Sequence, residues 1–277
     1  MRSCALLLAL GSWACSGSID GESGLESTRD PTSRASGAVV DAKAPRMRVA
    51  TFNVNFGMAG RLSNAMAIEA IDADVVLLQE TTEASAKRFR DSLGDVYPHQ
   101  QFRDCCRAGG LGILSKHPIV WEQYLEPDAG WFPAWAFEVD GPIGRVQFLD
   151  VHLRPPVSDS GSWAKGYFST RGVRRSEIEG FFGALDPDLP TIVAGDFNEG
   201  ADGRAVEFLL DKGMQSALAE VDPDADTWHW PLAVGELRSM LDHIVYDDRL
   251  VLLRADVREA GRSDHFPVFA DFARASR

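Results

Sequence analysis

The feature that most constrains the fold is a set of short apolar segments whose ends carry acidic, amide or histidine residues. The segments contain "FNVN", "LLQE", "LDVHL", "IVAGDFN" and "MLDHIVY", and a further group, "SDH", precedes the last apolar segment. Apolar runs of this length are typical of buried strands. Polar side chains at strand ends can converge on one cleft. The sequence therefore predicts a sheet protein with a polar site at one edge of its strands.

Each polar end, taken alone, has a simpler explanation. "LQE" is typical of a solvated strand end and "GDFN" of a turn, because Asp and Asn side chains hydrogen-bond the nearby backbone. The histidine of "VHL" is compatible with a core position, and "SDH" with a cap or a turn. The complete set is what indicates a site, because so many ends with the same residue types would be an unusual coincidence.

The order of elements indicates mixed α/β sheets rather than a purely parallel sheet, because strands outnumber helices and several neighbouring strands resemble hairpins. We predict one domain over 46–277, with no internal repeat. The predicted strands are 47–54, 74–80, 111–115, 118–125, 134–140, 145–153, 190–197, 241–247, 250–259 and 266–272, and the predicted helices are 62–73, 84–94, about 170–185 and 205–213.

The N-terminus has the form of an export signal over residues 1–15, in which one Arg precedes an apolar run and small residues. The end of this run, "GSWAC", is an imperfect lipobox in which Cys15 would accept a lipid and anchor the protein to a membrane. Ordinary cleavage near Ala14 is the alternative. Residues 16–45 are rich in Ser, Gly, Asp and Glu and are predicted to form a flexible linker. We therefore expect an exported protein, either a membrane-anchored lipoprotein or a secreted or periplasmic one.

Charge and cysteine usage narrow the function classes. The formal net charge is −13, which disfavours a non-specific nucleic-acid binder but leaves room for a local basic groove. Only Cys105 and Cys106 lie in the predicted domain, and a bridge between adjacent residues would be strained. A scaffold stapled by disulfides is therefore not expected. The pair is interpreted as two small apolar residues or a loop bridge, or alternatively as a redox or metal-binding pair.

The strand-end residues also have the chemistry of a metal-assisted hydrolase. Glu80, Asp196, Asn198 and Asp264 supply hard oxygen atoms, which suit Mg²⁺, Mn²⁺ or Ca²⁺. Histidines, of which His265 and His152 are the candidates, suit general acid/base work when a carboxylate orients them. Together these groups predict hydrolysis of a phosphate ester. No HExxH or comparable spacing is present, which disfavours a zinc enzyme.

In the order and wording of its motifs, the chain resembles the endonuclease/exonuclease/phosphatase superfamily over residues 47–272. The motifs are "FNVN", "LLQE", "GGLGILSKHPI", "VHL", "GDFN", "LDHIVY" and "SDHFPV". The resemblance implies a four-layer α/β sandwich, with two mixed β-sheets packed face to face and helices outside. It also implies a divalent-metal-dependent phosphodiesterase or phosphatase, with Mg²⁺ as the expected cofactor and Mn²⁺ or Ca²⁺ as alternatives.

The same resemblance implies a role for each matching residue. Glu80 matches the main metal-binding glutamate, Asn53 an asparagine near the metal and the scissile phosphate, and Asp264 a further metal-binding or supporting acid. Asp196 and Asn198 match residues that orient the attacking water and hold the phosphate. The remaining matches are His265 for the essential histidine, Asp242 for its acidic partner, and His152 for a histidine against a phosphate oxygen. Whether Asp196 or His265 removes the proton from water stays open.

Other residues are candidates for contacts with the substrate. Arg154, Tyr167 and Arg171 lie in a long segment after "VHL" that is rich in basic residues. Arg174 and Arg175 follow, and they are either phosphate contacts or part of a solvated helix face. Trp228 lies with His229 and Trp230 in a predicted loop, where aromatic rings suit stacking on a base, a lipid interface or simple loop packing.

The substrate class stays open between nucleic acid and a phospholipid head group or small phosphoester. The acidic charge, the expected lipid anchor and Asn55, which stands where pancreatic DNase has a basic residue, favour the second group. The alternative function is a non-catalytic surface lipoprotein that keeps the fold as a binding module. No protein partner is predicted.

Overall fold

The computed structural model describes residues 41, 43–157, 166 and 169–276. The predicted signal segment with Cys15, nearly all of the predicted linker, and Tyr167 lie outside the described residues, so these predictions stay predictions. No helix in the described part of the chain is long and apolar enough to cross a membrane.

Most of the described residues belong to strands and helices that follow one another closely along the chain. In chain order the strands are β1 (Met47–Asn53), β2 (Val75–Gln79), β3 (His99–Arg103), β4 (Leu111–Ser115), β5 (Ile119–Leu125), β6 (Ala134–Gly141), β7 (Gly144–His152), β8 (Thr191–Asp196), β9 (Gln215–Ser216), β10 (Trp228–Pro231), β11 (Glu236–Ser239), β12 (Asp242–Tyr246), β13 (Leu250–Val257) and β14 (Val268–Arg274). The helices are α1 (Leu62–Ile71), α2 (Glu83–Leu93), α3 (Arg171–Phe182), α4 (Arg204–Asp211) and α5 (Ala217–Val221).

Two large sheets carry the fold. The first has six strands in the order β13-β14-β1-β2-β4-β3, and the second has six in the order β5-β6-β7-β8-β12-β9. Each sheet contains one parallel pair, β1 with β2 and β7 with β8, while the other neighbours are antiparallel. Both sheets are therefore mixed, as predicted. Strands β10 and β11 form a separate hairpin.

Apolar side chains from both sheets meet in one buried cluster between them. Val75 and Ile113 from the first sheet belong to the same cluster as Trp135, Phe148 and Ile244 from the second. Alternation along each strand sends the other set of side chains to the outer faces. There, Phe52 packs with residues of α1 and α2, and Leu149 packs with residues of α3 and α4. The result is a four-layer α/β sandwich with helices outside, which confirms the predicted fold class.

The sequence did not predict every element. Strand β3 reads "HQQFR" and is nearly all half-buried at the edge of its sheet, so it lacks the apolar alternation that marks a strand. The prediction that Trp228, His229 and Trp230 lie in a loop is wrong, because they form β10 and pair with β11. This strand is short, ends in a proline and lies outside both large sheets, so its sequence carries a weak strand signal.

Cys105 and Cys106 form a disulfide in the loop between β3 and β4. The structure therefore agrees with one interpretation that the sequence left open, a disulfide bridge within a loop. The bond joins neighbours only, so it connects no separate segments of the chain. The scaffold is held together by its sheets and core, as expected.

Gly195 is required where β8 delivers its last residue to the sheet edge. Its φ of +147° is a conformation that L side chains rarely adopt. A Cβ at this position would collide with the backbone carbonyl of Val151 on the neighbouring strand β7. The glycine therefore lets β7 and β8 approach each other directly beneath Asp196.

Replacing Gly195 by Ala is expected to lower the free energy of unfolding by about 2 kcal/mol or more, because the strand must shift or strain. Urea denaturation followed by circular dichroism measures the change. Gly180→Ala is the matched control, since within the described part of the chain an added Cβ at this helical glycine would meet no atom within 4 Å beyond its own helix backbone, and this variant should gain up to about 1 kcal/mol. Equal stabilities for the two variants would contradict the explanation.

Candidate active site

Strand register brings the predicted polar ends to one edge of the sandwich. Asn53, at the end of β1, pairs with Gln79, which is followed at once by Glu80. In the second sheet, His152 at the end of β7 pairs with Asp196 at the end of β8. Because β1 and β2 run parallel, and β7 and β8 do as well, the C-terminal ends of each pair lie at the same edge of their sheet. Strand β12 runs antiparallel to β8 and places its first residue, Asp242, opposite Asp196.

The side chain of Asn53 joins the two sheets at this edge. It is fully buried, and its Nδ2 donates to Glu80 Oε1 at 3.1 Å and to Asp196 Oδ2 at 3.0 Å. Its Oδ1 accepts from the backbone N–H of Asn55 at 3.0 Å, which fixes the orientation of the amide. The nitrogen of this amide, rather than its oxygen, therefore faces the two carboxylates.

Local backbone conformations aim Glu80 and Asp196 into the site. Glu80 has a φ of 57° and Asn198 has a φ of 53°, so the chain turns sharply after both strands. The Phe56 N–H donates to Glu80 Oε2 at 2.9 Å, and the Asn198 N–H donates to Asp196 Oδ1 at 2.8 Å. Asn198 Nδ2 in turn donates to the carbonyl of Leu153 at 3.0 Å. The "GDFN" turn is thus tied to β7 and holds Asp196 rigidly.

His265 and Asp242 form a buried pair beside Asp196. His265 Nδ1 lies 2.8 Å from Asp242 Oδ2, which also accepts from Thr227 Oγ1 at 2.6 Å. His265 Nε2 lies 3.6 Å from Asp196 Oδ2. Burial lowers the pKa of His265, but the carboxylates of Asp242 and Asp196 raise it by more, so the net shift is upward. Burial also raises the pKa of Asp242, although His265 opposes that shift. The arrangement favours an imidazolium between two carboxylates.

His152 enters the site from the opposite side. Its Nδ1 donates to the carbonyl of Ala108 at 3.0 Å, and its ring stacks on Phe132 with 4.5 Å between centroids. Its Nε2 is then directed inward, 3.6 Å from Asp196 Oδ2 and 3.9 Å from Glu80 Oε1. A side chain held in this way can present one nitrogen to a ligand with little loss of freedom.

Asp264 lies at the rim in a network of its own. Its Oδ1 accepts from Asn55 Nδ2 at 2.7 Å and its Oδ2 from the indole N–H of Trp228 at 3.3 Å. The His229 N–H donates to the Asp264 carbonyl at 2.9 Å, so the β10–β11 hairpin is anchored to the "SDH" turn. Trp228, a candidate for substrate contact, is half-buried here and helps to hold Asp264.

The carboxylates and His265 offer ligand atoms that could hold a metal ion. Asp196, Asp242 and His265 each place one ligand atom within 4.8 Å of the others, so this group could bind a metal. Asp242 Oδ2, however, already accepts from both His265 and Thr227. Glu80 and Asp196 approach the same amide nitrogen of Asn53 and form a second acidic pair. Oxygen ligands of this kind match Mg²⁺, Mn²⁺ and Ca²⁺.

Each of the four predicted arginines contacts other groups of the protein, and two of them are buried. Arg154 is 6% exposed, with its guanidinium carbon 3.1 Å from the centre of the Trp131 ring. Arg171 donates to the carbonyl of Asp202 at 2.9 Å. Arg174 was expected at a substrate or on a solvated face, but it is fully buried with Nε 2.8 Å from Glu199 Oε2. Arg175 pairs with Glu179 at 2.7 Å on the surface of α3. For Arg154 and Arg171, substrate binding stays a prediction.

Sequence reasoning missed several residues that position the site. Thr227 binds Asp242, and its Oγ1 also accepts from the N–H groups of Leu241 and Asp242, each at 2.9 Å. Ser263 Oγ donates to the Asn53 carbonyl at 2.7 Å, which links the "SDH" turn to β1. The carbonyl of Ala108 has no side-chain signal at all. Among these three residues, only Ser263 has a signal in the sequence, because it directly precedes Asp264 and His265 in "SDH".

Glu177 of α3 lies among buried cations behind the site. It is 2% exposed, and its Oε2 accepts from the Arg154 N–H at 2.9 Å. Burial raises the pKa of Glu177 to about 7, while backbone N–H groups and then Arg174 and Arg154 oppose the shift. Its folded-state pKa therefore lies above the unfolded value of 4.5.

The sequence matches a family model, and the fold matches solved structures. The sequence model described as "Endonuclease/Exonuclease/phosphatase family" matches residues 50–265. No curated protein matches the sequence. An endonuclease/exonuclease/phosphatase from Beutenbergia cavernae is similar in structure, with 19% identity, a TM-score of 0.66, and coverage of 84% of this chain and 72% of that chain.

Two further structures share the fold. The human Nocturnin catalytic domain with bound sulfate has 18% identity and a TM-score of 0.65, and the match covers 83% of this chain and 95% of that one. TDP2 from C. elegans has 14% identity and a TM-score of 0.60, and the match covers 83% of this chain and 76% of that one. At these identities the likeness establishes the fold alone.

The raised pKa of Glu177 gives a pH-dependent prediction for stability. A carboxyl group of this kind contributes stability below pH 4.5 and loses that contribution as pH rises to about 7. Glu177→Gln cannot ionise, so its free energy of unfolding relative to wild type should rise over this interval by up to about 3 kcal/mol and then level off. Urea denaturation at several pH values tests this.

Glu179→Gln is the matched control on the same helix. Glu179 is exposed and paired with Arg175, so its removal should change stability little at any pH in this range. A flat difference for Glu177→Gln would contradict the raised pKa.

Proposed function

Because the chain belongs to the endonuclease/exonuclease/phosphatase family, we propose that it is a divalent-metal-dependent phosphoester hydrolase in which water attacks phosphorus in line. Members of this family are generally phosphoesterases or nucleases. The main support is the unbroken chain of contacts from Thr227 through Asp242, His265 and Asp196 to Asn53 and Glu80. A purely structural role does not require this much buried charge at one sheet edge, since each ion costs free energy to bury.

The donor set fits a divalent cation. Glu80, Asp196 and Asp242 bring three carboxylates close together, and Asp242 Oδ1 is buried without a hydrogen-bond partner among the described residues. Glu80 would be the main ligand, with Asp196 beside it and Asp264 at the rim. Mg²⁺ is the preferred candidate because it accepts few carboxylates and leaves room for phosphate oxygens. When bound, the ion would offset negative charge that develops on the phosphate during attack.

The protein groups divide the remaining work. Asp196 is held through Oδ1 by the Asn198 N–H, and its Oδ2, which accepts from Asn53 Nδ2, would also orient the attacking water. Asp196 Oδ2 and His265 Nε2 lie 3.6 Å apart, so either group would serve as the proton acceptor from water while the other faces the phosphate. Asp242 keeps the imidazole in place. His152 Nε2 is positioned to contact a phosphate oxygen from the other side.

The cellular setting completes the proposal. We place the protein outside the cytoplasm, released or anchored by a lipid on Cys15, with a phosphoester substrate drawn from nucleic acid, phospholipid head groups or small phosphoesters. The net charge of −13 favours the last two.

Replacing His265 or Asp196 by Ala is expected to lower kcat for bis(p-nitrophenyl) phosphate by about 10²–10⁴-fold, which is the usual contribution of a positioned acid or base. The assay contains Mg²⁺, and EDTA should abolish the wild-type rate. Release of p-nitrophenolate gives the measurement, and circular dichroism verifies that each variant is folded.

His117→Ala is the matched control, since His117 Nε2 also pairs with a carboxylate, Asp74, at 3.3 Å but lies away from the site. It should retain the wild-type rate. Near-normal rates for both active-site variants would show the assignment to be wrong. A wild-type protein that binds Mg²⁺ yet turns over neither DNA, RNA, phosphoinositides, sphingomyelin nor the nitrophenyl ester would instead support the binding-module alternative.

A further inference from the structure

An open cleft of about 410 Å³ lies beside the candidate active site. Its walls are mainly apolar and include the Cys105–Cys106 disulfide through one of the two cysteines. The lining residues are Phe56, Cys106, Arg107, Ala108, Trp131 and Phe132. A volume of this size is within the range of small-molecule sites.

The walls of the cleft are attached directly to site residues. The backbone N–H of Phe56 donates to Glu80 Oε2 at 2.9 Å. The Ala108 carbonyl accepts from His152 Nδ1 at 3.0 Å, and the Phe132 ring stacks on the His152 ring. Three residues that line the cleft, Phe56, Ala108 and Phe132, are therefore in direct contact with Glu80 or His152.

The disulfide shapes the loop that forms this wall. Cys106 and Arg107 both have positive φ, at 39° and 70°, so the chain folds back sharply after the bond. Cys106 Sγ lies 3.9 Å from the Trp131 carbonyl. Gly109 packs so closely that an added Cβ would lie 2.7 Å from Cys106 Sγ and 2.8 Å from Phe132. The bond, the glycine and the aromatic segment 131–132 thus form one packed unit.

Two large aromatic rings of the cleft remain open to solvent. Phe56 is 47% exposed and Trp131 is 43% exposed. The Trp131 ring is nevertheless held in place, because the Arg154 guanidinium lies 3.1 Å from its centre. Rigid, exposed aromatic rings next to a reactive site offer stacking surfaces for a planar group, and Arg107 adds a guanidinium at the rim.

We propose that this cleft binds a planar aromatic ring carried by one ester arm of the phosphoester substrate. The inference rests on the proposed function, in which Glu80 would hold the metal ion and His152 would contact a phosphate oxygen. The ring would stack against Trp131 and Phe56 while the phosphate reaches the acidic edge. The shared chemistry is a flat aromatic ring, and either a simple aryl group or a nucleobase can supply it.

Two matched ligand pairs test the proposal by binding rather than turnover. Phenylphosphonate carries an aromatic ring where methylphosphonate carries a methyl group. Adenosine 5′-monophosphate carries a base that ribose 5-phosphate lacks. Isothermal titration of the Mg²⁺-loaded protein measures each Kd. Wild type should prefer the ring-bearing member of at least one pair by about tenfold, in line with stacking on an aromatic side chain. The pair that shows the preference identifies the source of the ring.

Trp131→Ala should lose most of that preference and leave the affinity for the ring-free ligand unchanged, while Trp131→Phe should restore it. Cys105→Ser/Cys106→Ser should lose part of it, because the wall loosens. Trp121→Ala is the control, since this tryptophan is 38% exposed on β5 and does not line the cleft. The melting temperature of each variant verifies its fold.

Equal affinities within both pairs for wild type would overturn the proposal, as would a preference that survives Trp131→Ala in a folded protein. Because binding is measured separately from hydrolysis, the two proposals fail in different ways. A protein without turnover that still prefers the ring would disprove the proposed function and retain the cleft. A protein that hydrolyses esters without any ring preference would do the reverse.

Discussion

The site depends on one amide group, the Nδ2 of Asn53, which donates both to Glu80 of the first sheet and to Asp196 of the second. Two carboxylates this close repel each other, and both are removed from most of the solvent. A shared donor reduces that cost and at the same time fixes the distance between the sheets. The relative position of the two sheets therefore sets the geometry of the chemistry, and the large apolar core between them serves to hold that position.

A second polar layer lies one step further inward. Gln79 Nε2 donates to Asp150 Oδ1 at 2.6 Å, and Thr51 contacts Gln79 on the adjacent strand. All three residues are fully buried. Burial raises the pKa of Asp150 well above its ordinary value, which favours the neutral form of this carboxyl group beneath the site. Asp150 thus differs from Asp196, which lies at the edge of the second sheet, because its carboxyl group lies in a wholly protein-lined polar layer with Gln79 and Thr51.

The part of this site that was predictable from sequence is the part in which a side chain interrupts an apolar run. Asp196 and Asn198 follow such a run, so the residues alone predict their position at a strand end. The carbonyl of Ala108 orients His152, but a backbone atom leaves no trace in a sequence. Strand β3 was not predicted because an edge strand needs no apolar face. The hairpin that contains Trp228 was not predicted because it lies outside both large sheets. Arg174 was misjudged because a basic residue at helical spacing gives no sign that Glu199 will accompany it into the interior.

The buried positions of Arg154 and Arg174 affect how a substrate would be recognised. The basic segment after "VHL" suggested a set of phosphate-gripping cations, yet Arg174 is neutralised by Glu199 and Arg154 is covered by Trp131 and adjoins Glu177. Buried and compensated cations contribute little field to a ligand outside, and the chain as a whole carries a charge of −13. Attraction of a polyanion over a long distance is therefore weak. Selection among phosphoesters would then fall to short-range contacts at the mouth of the site, and the most developed of these is the aromatic cleft whose wall Arg154 holds in place through Trp131.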